Sequence, residues 1–378
     1  MLSSNLFRPS GAFVRRFGNG LQEQETCSQG ADSPYNGSMD ARDRERYSRQ
    51  ILYRHIGEAG QQKLLASRVA IVGCGALGSQ QASLLVRAGV GELLIVDRDY
   101  VEESNLQRQT LFAESDAVQS LPKAVAAEAY LRQANSGVKV QGVVADLTAE
   151  NISEILSGVH VLVDGTDNFE TRYLLNDFSL QYNVPWIYGA AVGSYGVTMT
   201  IVPGRGPCLA CLFPEPPSGM QATCDTEGIV NAAASVVASL QVAEALKLLV
   251  GDRDALHGKL LSLDVWENRF QAVNPGKPAE NCRACQRREF VYLSGSRSVP
   301  ITLCGRNSVQ IHERKRPVDF GELGKRLQPL GTVRFNPFVF QFTIAPYQMT
   351  IFPDGRAIIQ GTTDPGLARS LYARYIGS

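Results

Sequence analysis

"VAIVGCGALGSQ", residues Val69 to Gln80, is the stretch on which the fold turns. Four apolar residues read as a buried strand, the glycines as a tight turn, and the small residues after them as a helix start. Gly73, Gly75 and Gly78 fill the G-x-G-x-x-G positions, a spacing that brings backbone at a helix N-terminus close to a phosphate. Asp97 closes the next apolar run, about 20 residues on, where a carboxylate accepts hydrogen bonds from ribose hydroxyls. A dinucleotide for hydride transfer and ATP for activating a substrate share that ribose, so the turn alone leaves both open.

Working outward, strand and helix patterns alternate from Arg46 onward. "RVAIVG", "GELLIVD", "KVQGVVADL", "VHVLVDGTD" and "VPWIYGAAV" read as strands. Ser79–Ala88, "SDAVQSLPKAVAAEAYLRQAN" and "NFETRYLLNDFSLQYN" read as helices between them. Such crossovers imply a Rossmann-like, doubly wound α/β sheet with a parallel core. "YGVTMTIVPG" and "KLLSLDVWENRFQAV" look like an antiparallel extension, giving a mixed sheet. "PGKPAENCRACQRREF" is polar and turn-rich and closes this domain near Arg288. Beyond it the order β-β-α-β-β-α is expected for a small α+β domain of about ninety residues. The expected division is therefore 1–40 as a tail, 41–288 as the nucleotide domain and 289–378 as the small domain.

Bulk properties exclude several function classes. Lys+Arg and Asp+Glu both number 37, so no global field draws the chain to nucleic acid or an anionic membrane. The long apolar stretch from Ile229 is interrupted by Gln241, Glu244 and Lys247 and reads as a buried helix, not a bilayer span. The first forty residues hold arginines but no apolar signal core. They read as a disordered tail or as an over-called start with Met39 the true one, a transit peptide being the minor reading. A cytoplasmic enzyme is the expectation.

Of eight cysteines, Cys208, Cys211, Cys282 and Cys285 form two C-x-x-C pairs. Four thiolates suit a closed tetrahedral zinc site; redox pairs, a disulfide or two unrelated pairs are the alternatives. Cys74 reads as a space-filler in the glycine turn, Cys27 as a tail residue and Cys304 as buried. The four histidines cluster with nothing and receive no role.

The choice between nucleotides tilts on Arg108, Lys123 and Asp167. Two cations and a carboxylate near one pocket suit a triphosphate and its Mg²⁺, a need not shared by hydride-transfer enzymes. Singly, each has a plain reading: a surface arginine, a solvated helix lysine, a helix N-cap.

In order along the chain, "RYSRQI", "GCGALGS", "VDRDYVEESNLQRQT", "PKA", "DGTDN", "PCLACLFP" and "ASLQVAEALKLL" resemble the ubiquitin-activating-like adenylyltransferases, specifically the ThiF/MoeB/HesA group. The resemblance covers Arg46 to Arg288 and none of the last ninety residues or so. It implies that Gly73, Gly75 and Gly78 form the nucleotide loop and that Asp97 holds the ribose. Asn105, Arg108 and Lys123 would contact the phosphates, Asp167 would bind magnesium, and the four paired cysteines would bind zinc. It further implies that Arg49 enters the ATP site of a partner subunit in a homodimer. Cys224 matches a position that carries a covalent carrier link in some members, with a bystander cysteine the alternative. The implied reaction adenylylates the C-terminal glycine of a ubiquitin-fold sulfur carrier ending in Gly-Gly, for thiamine or molybdenum-cofactor synthesis or related sulfur transfer. The last segment lacks the glycine-rich anion cradle of a rhodanese loop after Cys304, so a separate persulfide donor is expected. An NAD-linked oxidoreductase and a non-catalytic nucleotide-binding scaffold are the competing readings.

Overall fold

The computed structural model describes residues 39–216, 224–296, 302–303, 308–311 and 317–377. The readings of the N-terminal segment up to residue 38, of Cys27 and of Cys304 lie outside them. Met39 and Asp40, counted with the tail on sequence, belong to the fold: Met39 is buried against Tyr47 and Leu65, and the Asp40 carboxylate caps the first helix.

The main sheet is eight-stranded, in the order β3-β2-β1-β4-β5-β6-β7-β8. The strands are β1 (Arg68–Val72), β2 (Glu92–Asp97), β3 (Lys139–Val144), β4 (Val161–Asp164), β5 (Trp186–Val192), β6 (Tyr195–Ile201), β7 (Leu260–Asp264) and β8 (Arg269–Val273). Pairings from β3 through β5 are parallel and those from β5 through β8 antiparallel, as the patterning implied. The parallel strands are near-continuous Val, Ile and Leu because helices cover both of their faces. One face carries Ile71, Leu93 and Ile95 under α1 (Ala76–Ala88), α2 (Lys123–Ala134) and α3 (Asn231–Val250). The other carries Ala70, Leu94 and Leu162 under α4 (Phe169–Tyr182).

α3 is the long apolar helix. It packs its Ala233, Ala234, Val237 and Ala245 stripe into the core beside α1 and β5, and it is the one helix among the described residues whose length and composition suit a membrane span. Strand order reverses between β1 and β4, which opens a crevice at their carboxyl ends beside Gly73 and Gly165.

One expected helix is two. The run from Ser115 to Asn135 breaks into α5 (Glu114–Val118) and α2, because Ser120 takes φ +48° and Pro122 cannot continue a helix. The break makes Lys123 the first residue of α2.

The C-terminal residues form a six-stranded antiparallel sheet, in the order β11-β12-β13-β14-β10-β9. Its strands are β9 (Thr302–Leu303), β10 (Ser308–Ile311), β11 (Thr332–Phe335), β12 (Phe340–Ile344), β13 (Tyr347–Ile351) and β14 (Ala357–Gln360). Helices α6 (Phe320–Leu327) and α7 (Pro365–Tyr375) complete it. The order is thus β-β-α-β-β-β-β-α, a correction to the β-β-α-β-β-α expected. Each long apolar run folds back on itself at a turn that periodicity passes over. Asn336 accepts hydrogen bonds from the amides of Phe338 and Val339 at 2.8 and 2.9 Å, and Gly355 turns the chain at φ +87°. Phe340, Phe342, Met349 and Ile359 fill this sheet's own core. Truncating Phe342 to alanine is expected to cost about 3–5 kcal/mol, read as a lowered urea midpoint at unchanged slope.

Candidate functional site

The glycine turn is built by backbone contact. Gly73 adopts φ +87°, and a Cβ there would lie 2.5 Å from the Gly165 carbonyl oxygen. A Cβ on Gly78 would lie 1.9 Å from the Gly73 carbonyl oxygen, so helix, turn and β4 meet without side chains. Gly75 differs: its nearest neighbour would be Gln109 Nε2, 3.8 Å away. It is the N-cap of α1 and makes no side-chain cap, so it leaves open space over the helix's first turn.

Asp97 ends β2 beside this turn. Its Oδ2 accepts from the Cys74 amide at 2.5 Å and its Oδ1 from the Asp99 amide at 2.7 Å. Burial pushes its carboxyl above the usual carboxylate range, and the Lys123 ammonium pulls it back. Cys74 is fully buried; burial pushes its thiol far up, in keeping with a space-filler.

Lys123 is only 3% exposed. Its amide donates to the Asp99 carbonyl at 2.9 Å and its ammonium lies 3.4 Å from Asp99 Oδ2. The plain reading of a solvated helix lysine is thereby corrected: the Pro122 break aims the side chain inward. Asn105 is buried in a single 3₁₀ turn, its Oδ1 accepting from the Glu102 amide at 3.2 Å. Arg108 is half-exposed and donates to the Ser104 carbonyl at 2.8 Å.

Asp167 is exposed beyond the end of β4 and makes no ion pair among the described residues. It is not a helix cap: Asn168 is, accepting from the Thr171 amide at 2.9 Å. The carboxylate that ends β4 is Asp164, fully buried. It accepts from the Thr166 amide and hydroxyl at 2.9 and 2.7 Å and pairs with Arg172 at 3.4 Å. Arg172 in turn donates to the Thr166 carbonyl at 2.7 Å. Burial pushes the Asp164 carboxyl up and Arg172 opposes it. Asp99, Asp164 and Arg172, which sequence reasoning missed, thus brace the loops carrying Lys123 and Asp167. "DGTDNFETR" held the signal, a strand-end carboxylate with an arginine one helical turn into the next helix.

The carboxyl edge of the sheet therefore gathers the glycine turn, Asp97, Asn105, Arg108, Lys123 and Asp167. It does not gather Arg49. That residue is exposed, with no hydrogen bond or ion pair among the described residues. Its neighbour Gln50 donates to the Ala88 carbonyl at 2.8 Å, at the far end of α1, about 20 Å along that helix from the glycine turn. Cys224 opens a helix of four residues, Cys224–Glu227, followed by Gly228–Val230 before α3, and so does not stand at the long helix's own N-terminus.

Cys208, Cys211, Cys282 and Cys285 converge, all four sulfurs lying within 4.8 Å of one another and three pairs at 3.4, 3.6 and 3.8 Å. A tetrahedral zinc with ~2.3 Å bonds requires sulfur separations of about 3.8 Å. Burial and the neighbouring sulfurs push the Cys208 and Cys285 thiols up, while at Cys282 burial is outweighed by hydrogen bonds, which hold the thiol down; a bound dication would favour the thiolate at all four. Both knuckles are tied to α4: the Leu209 amide donates to Asn176 at 2.9 Å, and Arg283 pairs with Asp177 at 3.2 Å.

A family model described as ThiF family matches residues 47–284. The chain is 46% identical over 336 residues to the sulfur carrier protein ThiS adenylyltransferase of Bacillus subtilis, covering 88% of this chain and 99% of that one. A match of 336 residues reaches past the family segment into the C-terminal sheet. A sulfur carrier protein adenylyltransferase of Thermus thermophilus is 38% identical over 258 residues, 66% of this chain and 94% of that one. The crystal structure of E. coli MccB aligns with TM-score 0.56 at 23% identity, over 67% of this chain and 74% of that one, a likeness of fold.

Chelating the zinc-type site is expected to speed amide exchange in 208–213 and 282–292, leaving the glycine turn and Lys123 segments at their native rates. Hydrogen exchange before and after chelation reads both.

Proposed function

The chain belongs to the ThiF family, and from that membership we propose the reaction, the site roles and the partners. It is an adenylyltransferase of sulfur-carrier proteins. The terminal carboxylate of a ubiquitin-fold carrier attacks the α-phosphorus of ATP. A carboxyl oxygen–phosphorus bond forms, the bond from that phosphorus to the bridging oxygen of pyrophosphate breaks, and pyrophosphate leaves with the electron pair. The nucleophile is already ionised, so no general base is needed, and positioning plus cations supply the catalysis. That fits a site with no histidine.

The observation that carries the assignment is a buried ammonium beside the glycine turn. Lys123 is held by Asp99, close to the Asp97 carboxylate and out of solvent, where it would meet the oxygens of a phosphate seated on the glycine turn. Gly73, Gly75 and Gly78 with α1 receive the phosphates, Asp97 receives the ribose, and Asn105 and Arg108 flank the reacting phosphorus. Asp167, an unpaired carboxylate at the mouth, has the donor chemistry for magnesium, which neutralises phosphate charge. The NAD-linked reading gives way, since the relatives are adenylyltransferases. The four-cysteine cluster is assigned to structural zinc and the sulfur supply to a separate persulfide donor; Cys224 is the candidate for a covalent link to the carrier, with a bystander cysteine the alternative. Segments 41–288 and 289–378 are taken as the catalytic domain and an appended module, in the cytoplasm where ATP is at hand.

The carrier's docking face is assigned to the antiparallel end of the sheet. Trp266 and Phe270 are 74% and 65% exposed, with Tyr195 of β6 at the same edge, and β8 is open on both faces. The β6 start and the β7–β8 turn lie at the same carboxyl edge as the glycine turn. Arg49 is assigned to the site of a second copy, because its own site lies a helix length away.

ATP–pyrophosphate exchange with Gly-Gly-ended carriers is the test. Lys123→Gln should lower the exchange rate about a hundredfold or more, and Trp266→Ala should raise carrier KM about tenfold at unchanged ATP KM. Exchange that ignores removal of the carrier's tail would refute the reaction. Mixing Arg49→Ala with Asp167→Ala chains should restore part of the exchange that each lacks alone; heterodimers without recovery refute the shared site.

A further inference from the structure

The C-terminal sheet, outside the family match, grips the residues on either side of Asp99, the partner of Lys123. Arg356, in the turn before β14, is 1% exposed, with its guanidinium 3.7 Å over the Phe352 ring. Its Nη2 donates to the backbone carbonyl of Arg98 at 2.9 Å. Arg98 reaches Asp146 at the end of β3 at 3.0 Å, and Gln310 of β10 donates to the other oxygen of Asp146 at 2.9 Å. Tyr100 is buried among Val339, Phe352 and Ile358 of the same module. Asn336 donates to the Gln119 carbonyl at 2.8 Å, just ahead of the Pro122 break.

Residues 98 and 100 are thus both held by the module, and Asp99 lies between them. Asp99 is the residue whose amide donates to Asp97, whose carbonyl receives the Lys123 amide and whose carboxylate faces the Lys123 ammonium. A shift of this segment would move the ribose carboxylate and the phosphate cation together. We propose that the C-terminal module is part of the nucleotide site, with Arg356 a positioning residue that sets Asp97, Asp99 and Lys123 through the Arg98 carbonyl. The inference rests on the reading that these residues hold ATP.

A charged donor lost from a part-buried carbonyl weakens the grip on that segment. A guanidinium also spans both ring and carbonyl, which a flexible apolar chain does not. Arg356→Met should raise the ATP KM of exchange about tenfold, with carrier KM unchanged within about twofold. Arg356→Lys, which keeps a donor but loses the planar stack, should recover part of the ATP KM. Hydrogen exchange, independent of activity, should show the Cys74, Asp99 and Lys123 amides exchanging faster in Arg356→Met than in the native chain. Native amide rates there, an unchanged ATP KM, or equal rises in both KM values would overturn the proposal. Should Arg356→Met fail to fold, Gln310→Ala, which severs the Asp146 bond alone, is expected to give a smaller rise in the same constant, and no rise would overturn it. Faster amide exchange in a protein whose native form lacks pyrophosphate exchange would uphold the positioning and sink the reaction instead.

Discussion

Three backbone segments meet at one point in this molecule, and the rest is arranged around the absence of side chains there. The Gly73 carbonyl lies where a Cβ on Gly78 or on Gly165 would sit, at 1.9 and 2.3 Å. The strand β1, the helix it feeds and the neighbouring β4 can therefore close on one another only through glycine. That closure sets the switch point of the sheet and aims the first turn of α1 into the crevice. A single methyl group would separate the strand from the helix and open the turn.

Charge is the second constraint. A buried ammonium costs several kcal/mol unless paired, and here Asp99 and Asp97 both face it. Lys123 faces one oxygen of Asp99 at 3.4 Å, longer than a well-formed charged hydrogen bond. Asp97 is raised by burial and lowered by the same lysine. Asp164 and Arg172 do the same work on the other wall, where both charges are buried and face inward, leaving Asp167 to solvent.

Much of this was legible in the sequence because it is local. The glycine spacing, the Val- and Ile-rich strands and the polar alternation of the extension are patterns of neighbours along the chain. The split at Pro122 was less visible, since the alanine-rich run around it has helical periodicity on both sides. The small module was misread for a related reason. "VRFNPFVFQFTI" is apolar throughout, and only the Asn336 side chain, turned back on Phe338 and Val339, makes it two strands. Least legible were Asp99, Arg172 and Arg356, whose meaning depends on what lies across space: an ammonium, a carboxylate and a carbonyl contributed by other elements.

The change of strand direction at β5 divides the labour of the enzyme. Parallel strands need helices on both faces, so the half that holds the nucleotide is sealed except at its carboxyl edge. An antiparallel hairpin needs no crossover helix: β7 still packs Leu263 against α3, while β8 beyond it leaves Phe270 on one face and Val273 on the other in solvent. An exposed apolar edge strand invites association and is normally masked. In this half the β6 start and the β7–β8 turn lie at the carboxyl edge of the sheet, the edge on which the glycine turn also stands. The same sheet is thereby sealed by helices in one half and open to solvent at the far end of the other, and the passage from parallel to antiparallel at β5 is where the one becomes the other.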